Sequence, residues 1–221
     1  MSKSITLYRY LSHEAALRSI EGRQFRVGRI KEFNDPFEWR MGLKGYKECS
    51  EAEVISDTCM NAFIEEMNST FGILCFSDIV TDPVLWAHYA DNHTGVAFEL
   101  DHLIDPRLHK VDYTDDRPVL DINDLECRSV VEPLLNKMIK QKASSWAYER
   151  EYRVHIELDK CDVAGGHYFQ AIPDNLVTKV ILGNRCPLDG LYVRKALDDV
   201  GLDTADVVRA TMDQQTYTIK C

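Results

Sequence analysis

The stretch Glu151–Leu158, E-Y-R-V-H-I-E-L, decides the fold class because polar and apolar side chains alternate along it with a period of two. This alternation predicts a half-buried β-strand. Immediately before it, the sequence Y-E-R-E places Glu149 and Glu151 on one face of the strand's start and Arg150 on the other. Two carboxylates this close raise one another's pKa, which suits a general base or a site that holds a cation. The alternative is a salt-bridged strand with Glu and Arg paired across a sheet.

Outward from this strand, the apolar spacing alternates between helical and extended segments. Further strands are predicted at 5–10, 25–27, 71–77, 96–100, 108–113, 168–172 and 177–182, with a closing strand pair at 207–212 and 216–220. Helices are predicted at 13–21, 51–68, 83–90 and 188–200, and at 125–145 with a basic tail at Lys137, Lys140 and Lys142. The elements follow no regular βαβ rhythm. We therefore predict one α+β domain over residues 1–221, with a mixed, mostly antiparallel sheet and flanking helices.

Composition limits the possible partners. The 221 residues include 26 Lys and Arg against 36 Asp and Glu, a net charge of −10, which argues against broad nucleic-acid binding. Residues 1–50 are the exception, with ten basic and six acidic side chains, and this leaves room for a local anion site or for ordinary solvated surface.

Cysteine spacing and hydropathy indicate the compartment. The seven cysteines are widely spaced without a CxxC pair, which predicts reduced thiols and no zinc site. No apolar run approaches the ~20 residues of a membrane helix, and the N-terminus lacks a signal peptide's apolar region. We expect a cytoplasmic protein that makes no membrane contact.

Two segments near the N-terminus are candidates for ligand binding. In L-Y-R-Y, Arg9 lies mid-strand beside Tyr10. Either it is an edge-strand Arg in solvent or paired with an internal Glu, or it faces inward and requires an anion such as a phosphate or a carboxylate. In N-D-P-F-E, Asn34 begins a turn that forms either a structural loop or the wall of a cleft. In the second case Phe37 would stack on a ligand, and Glu38 or Asp35 would bind a ribose.

A third candidate is W-A-H-Y-A at residues 86–90. Either it packs as an aromatic helix face, or His88 or Tyr89 contacts a base or a nicotinamide ring. The motifs GxGxxG, GxxxxGK[ST], GxSxG and HExxH do not occur, so the sequence gives no indication of common nucleotide-binding loops, a serine hydrolase or a zinc protease.

The chain contains, in this order, the segments LYRY, NDPFE, LCFS, WAHYA, GVAFE, VDY and W-x-Y-E-x-E-Y-R. The match that they make covers about residues 7–157. This series resembles a bacterial family catalogued as a domain of unknown function and often found in or near defence loci. Residues 158–221 add a general α+β pattern and are predicted to belong to the same domain.

The chain also resembles, more distantly, ADP-ribosyltransferases of the arginine–serine–glutamate type, through Arg9, Ser77 and Glu149-Arg150-Glu151 in that order. The resemblance implies an ADP-ribosyltransferase-like fold, with NAD as substrate and no metal. It implies that Arg9 grips the NAD phosphates or ribose, that Ser77 supports the site and that Glu151 binds the ribose 2′-hydroxyl. Glu149 would orient the acceptor, and Tyr89 would stack on nicotinamide.

The sequence thus predicts an NAD-consuming enzyme that transfers ADP-ribose to a macromolecule or to water, plausible in bacterial defence or a toxin system. The first alternative is a non-catalytic sensor or interaction module on the same fold, whose acidic surface docks a basic partner. The second is an RNA nuclease in which Asp35, Glu38, Glu149 and Glu151 hold Mg²⁺.

Overall fold

A computed structural model describes residues 5–44, 50–101, 105–124 and 128–221 of the chain. The α-helices are α1 (His13–Glu21), α2 (Ser50–Thr70), α3 (Pro83–Tyr89), α4 (Arg128–Lys140) and α5 (Gly190–Asp199). The first strands are β1 (Leu7–Leu11), β2 (Gln24–Arg29), β3 (Gly42–Lys44), β4 (Phe71–Ser77), β5 (Val96–Leu100), β6 (Leu108–Lys110), β7 (Asp112–Thr114) and β8 (Val119–Asp121). The remaining strands are β9 (Gln141–Ala143), β10 (Glu151–Glu157), β11 (Asp162–Ala164), β12 (His167–Ala171), β13 (Val177–Leu182), β14 (Asp206–Arg209), β15 (Thr211–Met212) and β16 (Ile219–Lys220). Short 3₁₀ helices occupy Ile30–Glu32, Ile122–Asp124, Ser144–Glu149 and Leu158–Lys160.

The main sheet is mixed and mostly antiparallel, which confirms the predicted α+β class. Its strand order is β11-β12-β2-β4-β1-β5-β13-β14, and β10 branches from β4 and also pairs with β6. Among its described strands, β13 and β14 are the pair that runs parallel. Within the described part of the chain, no helix has the length and apolar character needed to cross a membrane.

Strand β4 is shared unequally between its neighbours. Along one edge it pairs with β10 over its whole length, from Phe71 to Ser77. Along the other edge it pairs first with β2, at Gly72 and Ile73, and then with β1, at Ser77. The sheet therefore divides beside Cys75, and this division opens the space in which the candidate site lies.

Helices close the sheet through apolar clusters. The largest contains Leu7, Phe98 and Val180 of the central strands with Ile20 of α1 and Leu197 of α5, all buried. A second cluster packs α2 and α4 over Trp39. A third, around Trp86, seats α3 under β1, and the Trp86 Nε1 donates to the Val80 carbonyl at 2.7 Å.

Local rules explain the helix that the sequence predicted most accurately. The Ser12 hydroxyl accepts a hydrogen bond from the Ala15 amide at the start of α1, and Gly22 ends the helix through its N–H to Arg18. Helix α3 likewise begins at Asp82, which accepts from the Val84 amide, with Pro83 at the first helical position.

Two sequence predictions were wrong in ways that matter for the site. The long helix predicted at 125–145 ends at Lys140 among the described residues, and the chain continues as β9 and a 3₁₀ helix. The β9 strand pairs parallel with β7, which places Lys142 in a strand instead of a solvated helix tail. The predicted strand at 108–113 is interrupted, because Val111 turns inward between β6 and β7.

The remaining differences are smaller. The predicted strand 207–212 divides into β14, which pairs with β13, and β15, which pairs with β16. The segment between β2 and the N-D-P-F-E turn contains one 3₁₀ turn, at Ile30–Glu32. Of the cysteines, Cys75, Cys161, Cys186 and Cys221 are free thiols, whereas Cys49 and Cys127 lie outside the described residues.

Gly95 provides a test of the packing that holds β5 in place. A Cβ atom there would overlap the Leu11 carbonyl oxygen and lie 2.8 Å from the Ala90 backbone. We expect Gly95→Ala to lower the free energy of unfolding by about 3 kcal/mol, since rigid backbone cannot move aside. Gly190→Ala is the control, because its nearest neighbour would be a Val207 methyl at 3.9 Å, and its effect should stay below about 1 kcal/mol. Urea denaturation followed by circular dichroism measures both, and equal values for the two variants would contradict the packing argument.

Candidate functional site

The candidate site is a cleft of about 150 Å³ at the division of the main sheet. Its lining comes from β1, β4, β9 and β10, from α3 and from the loop after β2. The lining residues are Tyr8, Arg9, Tyr10, Phe33, Asn34, Glu38, Cys75, Phe76, Ser77, Leu85, Tyr89, Lys142, Glu149 and Glu151.

Strand register brings three of the predicted segments together. Tyr8 of β1 stands opposite Ser77 of β4, and Ser77 stands opposite Glu151 of β10. The segments that the sequence separates by more than sixty residues are therefore adjacent strands. Ser77 itself is buried and fully engaged, since its hydroxyl donates to the Glu149 carbonyl at 2.6 Å and accepts from the Ile79 amide at 3.2 Å.

Glu149 and Glu151 both lie in the cleft wall, as predicted, and both are almost completely buried. Glu149 ends a 3₁₀ helix, and Arg150 then adopts a left-handed backbone conformation with φ of 49° before β10 begins. This turn sends the Arg150 side chain outward to Asp78 and leaves both glutamates facing the interior.

The ammonium group of Lys142 lies among three carboxylates. Its Nζ is 2.5 Å from Glu149 Oε2, 3.2 Å from Glu38 Oε1 and 3.3 Å from Glu151 Oε2. Only 7% of Lys142 is exposed. Burial of this kind is tolerated when the charge is paired and hydrogen-bonded, and here Lys142 satisfies carboxylates from three different segments.

Arg153 completes the network from the same strand as Glu151. Its Nε donates to Glu151 Oε1 at 2.7 Å, and its Nη2 donates to Glu151 Oε2 at 2.8 Å and to Glu38 Oε1 at 2.7 Å. We refer to Glu38, Lys142, Glu149, Glu151 and Arg153 as the buried charge network. Three carboxylates face two cations, so the fully ionised network carries one excess negative charge.

The pKa values of the two glutamates are shifted in opposite directions. Burial alone would raise the pKa of Glu151, but the Arg153 guanidinium and the Lys142 ammonium outweigh it and hold this pKa at about 2. Burial raises the pKa of Glu149 above its ordinary value, although Lys142 and the Tyr89 hydroxyl oppose the shift. One carboxylate is thus fixed as an anion while its neighbour is the easier of the two to protonate, a pairing used in acid–base sites.

Tyr89 and Asn34 extend the network toward the cleft opening. The Tyr89 hydroxyl donates to Glu149 Oε1 and accepts a hydrogen bond from Asn34 Nδ2 at 3.2 Å. Burial, followed by the Glu149 contact, raises the pKa of Tyr89 and keeps it a donor. Both residues therefore lie where the sequence predicted, although Tyr89 binds a carboxylate through its hydroxyl.

Arg9 lies at the division of the sheet and contacts no carboxylate among the described residues. Its guanidinium donates to the Cys75 carbonyl at 3.1 Å and to the Arg26 carbonyl at 2.8 Å, between the rings of Phe25 and Phe76. The Arg9 guanidinium therefore hydrogen-bonds to β4 at Cys75, where this edge of the strand has no partner strand. Burial lowers the pKa of Arg9 to about 10, so it remains a cation at neutral pH without a neutralising partner.

A wider groove continues from the cleft past Arg9. Its volume is about 720 Å³, and it shares Arg9, Phe33, Asn34, Cys75 and Tyr89 with the cleft. The ionisable residues that line the groove are Arg9, Arg18, Arg26, Glu32, Cys75, His88, Tyr89 and His167. We call this the outer groove, and its arginines outnumber its single carboxylate.

The other predicted site residues have different positions. Tyr10 lines the cleft but serves the core, since its hydroxyl donates to the Ile79 carbonyl at 2.9 Å and its ring packs edge-on against Trp86. His88 lies in the outer groove, bonded to the Tyr148 hydroxyl at 3.0 Å. Phe37 lies outside the cleft, 58% exposed and stacked under Arg117, because the turn after Asp35 directs it to the opposite side.

The carboxylates of the predicted Mg²⁺ set are already engaged. Asp35 accepts from the Phe37 amide at 2.9 Å, and Lys142 occupies the point where Glu38, Glu149 and Glu151 converge. The described residues contain no group of three or more His, Cys, Asp or Glu side chains that could hold a metal ion.

Sequence reasoning missed the two cations of the network. Arg153 had a detectable signal, since it stands two residues after Glu151 and must share its face of the strand. Lys142 had no such signal, because the apolar spacing of residues 125–145 predicted that it lies on a helix.

The network predicts an asymmetric response to losing an arginine. Arg153→Met leaves Glu38 and Glu151 buried with less compensation, and we expect it to lower the free energy of unfolding by about 3 to 5 kcal/mol. Arg26→Met removes an arginine whose partner Glu32 is exposed, and its cost should be about 0 to 1 kcal/mol. Chemical denaturation of both variants measures the difference, and similar costs would mean that the network contributes little to stability.

Comparison with known proteins yields one match. A domain of the family described as protein of unknown function (DUF2971) is found at residues 85–154. This span contains most of α3 and of β10 and four members of the buried charge network, but it contains neither Arg9 nor Ser77. No curated protein and no solved structure matches the chain. The match over this span is consistent with the predicted resemblance to an uncharacterised domain family, and the resemblance to ADP-ribosyltransferases stays a prediction.

Proposed function

We propose that the protein is an enzyme that cleaves the nicotinamide–ribose bond of NAD and transfers ADP-ribose to an acceptor or to water. The observation that supports this is the meeting of Arg9, Ser77 and Glu151 on adjacent strands that line a single cleft. An order of residues along the sequence is a permissive pattern, but few chains that match it by accident would bring all three to one cavity.

The charges in the cleft suit this reaction. Glu151 remains ionised, so its carboxylate stabilises the positive charge that develops on the ribose as the C1′–N bond breaks, and it accepts a hydrogen bond from the 2′-hydroxyl. The bonding electron pair leaves with nicotinamide and neutralises its pyridinium charge. The acceptor's oxygen or nitrogen forms the new bond to C1′, and Glu149 takes the acceptor's proton.

The outer groove suits the remainder of the dinucleotide. The cleft is small, at about 150 Å³, whereas the outer groove that adjoins it offers about 720 Å³. Arg9 stands at the junction as a cation without a carboxylate partner, which favours a pyrophosphate there. A role in defence or as a toxin would follow from depletion of cellular NAD or from modification of a cellular macromolecule.

Nicotinamide release from NAD by the purified chain, with cell lysate as the source of acceptor, tests the proposal. We expect the wild-type protein to release nicotinamide and Glu151→Gln to be slower by about 100-fold, because a neutral amide stabilises the ribosyl cation poorly. Glu157→Gln, on the same strand but exposed, should match the wild type.

A second, more conservative variant tests the activity in case Glu151→Gln does not fold. Tyr89→Phe removes only the hydroxyl that contacts Glu149, and we expect a loss of about 10-fold with NAD affinity nearly unchanged. Absence of release by a folded wild-type protein, with any acceptor, would overturn the proposed activity.

One observation favours a second function, a non-catalytic sensor that binds a nucleotide. Both carboxylate oxygens of Glu151 are already hydrogen-bonded to Arg153, which is the arrangement of a structural ion pair. Calorimetric binding of NAD without turnover, and without change in Glu151→Gln, would support this sensor in place of the enzyme.

A further inference from the structure

Lys142 stands between two cavities. It and Glu38 line the cleft, and both also line a second cavity of about 220 Å³ on the other side, bounded by the β7–β8 loop and the turn after Asp35. Strand β9 carries Lys142 to this position by pairing with β7. The two side chains are therefore the wall that the cavities share.

The ammonium group is hydrogen-bonded to Glu149 and Glu151 and forms an ion pair with Glu38. It carries three N–H bonds, and three carboxylate oxygens lie within 3.3 Å of it. The Trp146 ring, with its centroid 4.9 Å from Nζ, covers a further side. The Lys142 ammonium group thus contacts three carboxylates and one aromatic ring.

Glu149 depends on Lys142 in a way that Glu151 does not. Arg153 binds Glu151 and Glu38, and among the described residues Lys142 is the only cation that pairs with Glu149. The other groups around Glu149 are the Tyr89 hydroxyl, the Ser77 side chain on its carbonyl and the like charge of Glu151. The groups around Lys142 are the three carboxylates, with the Tyr113 and Tyr148 phenols nearby.

We propose that Lys142 is a positioning residue that holds Glu149 and Glu151 side by side in the cleft with both carboxylates negatively charged. The inference rests on the proposed function for its catalytic consequence, because Glu149 must be ionised to take the acceptor's proton. The effect of Lys142 on the charge of Glu149 does not depend on whether the protein cleaves NAD. Without a cation between them, two buried like charges share a proton, and Glu149 is the one that accepts it.

The direct test is the titration of the Glu149 carboxyl in the folded protein without substrate. Infrared difference spectra against Glu149→Gln report its protonation. In Lys142→Met we expect its apparent pKa to rise by about one unit or more, because the neighbouring cation is lost and Glu151 remains. In Lys142→Arg the charge is kept, and the titration should stay close to that of the wild type.

Glu38→Gln should shift the apparent pKa of Glu149 in the opposite direction. It also tests the inference if Lys142→Met does not fold. It removes a negative charge that competes for Lys142, so the apparent pKa of Glu149 should fall. An unshifted Glu149 titration in a folded Lys142→Met protein, or a rise in Glu38→Gln, would overturn the inference.

The pH dependence of nicotinamide release separates positioning from a merely structural role. If Glu149 acts as the base, the acid limb of the rate profile should move to higher pH in Lys142→Met. Lys142→Arg should restore the limb but lower the maximal rate, since a planar guanidinium cannot reach three carboxylates as a compact ammonium does. A profile lowered at every pH without a shift would contradict the role. If the wild type releases no nicotinamide, the proposed function fails while the infrared titration still decides the inference.

Discussion

The pairing of buried charges at Glu38, Lys142, Glu149, Glu151 and Arg153 is the interaction on which the site depends. Each ion would be expensive to bury alone, and each is tolerated because the others are held at hydrogen-bond distance. The members come from the loop after β2, from β9, from the end of a 3₁₀ helix and from β10. Glu151 and Arg153 compensate each other within β10, but Glu38, Lys142 and Glu149 are compensated only when these segments come together, which links the order of the cleft to the order of the fold.

Arg9, on the opposite wall of the cleft, contributes a positive charge that no carboxylate among the described residues neutralises. It is also desolvated, but backbone carbonyls satisfy it in place of carboxylates, so its charge is hydrogen-bonded without being neutralised. The cleft consequently has a wall with excess negative charge and a wall with excess positive charge. A ligand with a cationic ring at one end and phosphates further along matches that distribution, and this match is the basis on which we propose NAD as the substrate.

Side-chain alternation predicted much of this arrangement from the sequence. It identified β10 and β1, and with them Glu149, Glu151 and Arg9, because a period of two fixes which side chains share a face. Strand β4 was identified from its continuous apolar run, and Ser77 entered only through the resemblance to ADP-ribosyltransferases. Periodicity failed at Lys142, since β9 is three residues long and follows a real helix, so the helical pattern could be extended through it. Phe37 was misjudged for a related reason. A turn motif predicts backbone conformation, but the side on which the next side chain emerges depends on tertiary contacts, here the Arg117 guanidinium.

The shared wall of Glu38 and Lys142 has a thermodynamic consequence. A molecule that enters the second cavity and draws Glu38 toward itself alters the contacts of Lys142, and with them the affinity of the cleft for its own ligand. Linkage requires the same coupling free energy in the reverse direction, so occupancy of the cleft would tune the second cavity equally. Two ligands that never touch would then communicate through the sharing of one lysine, with no movement of the sheet that carries it.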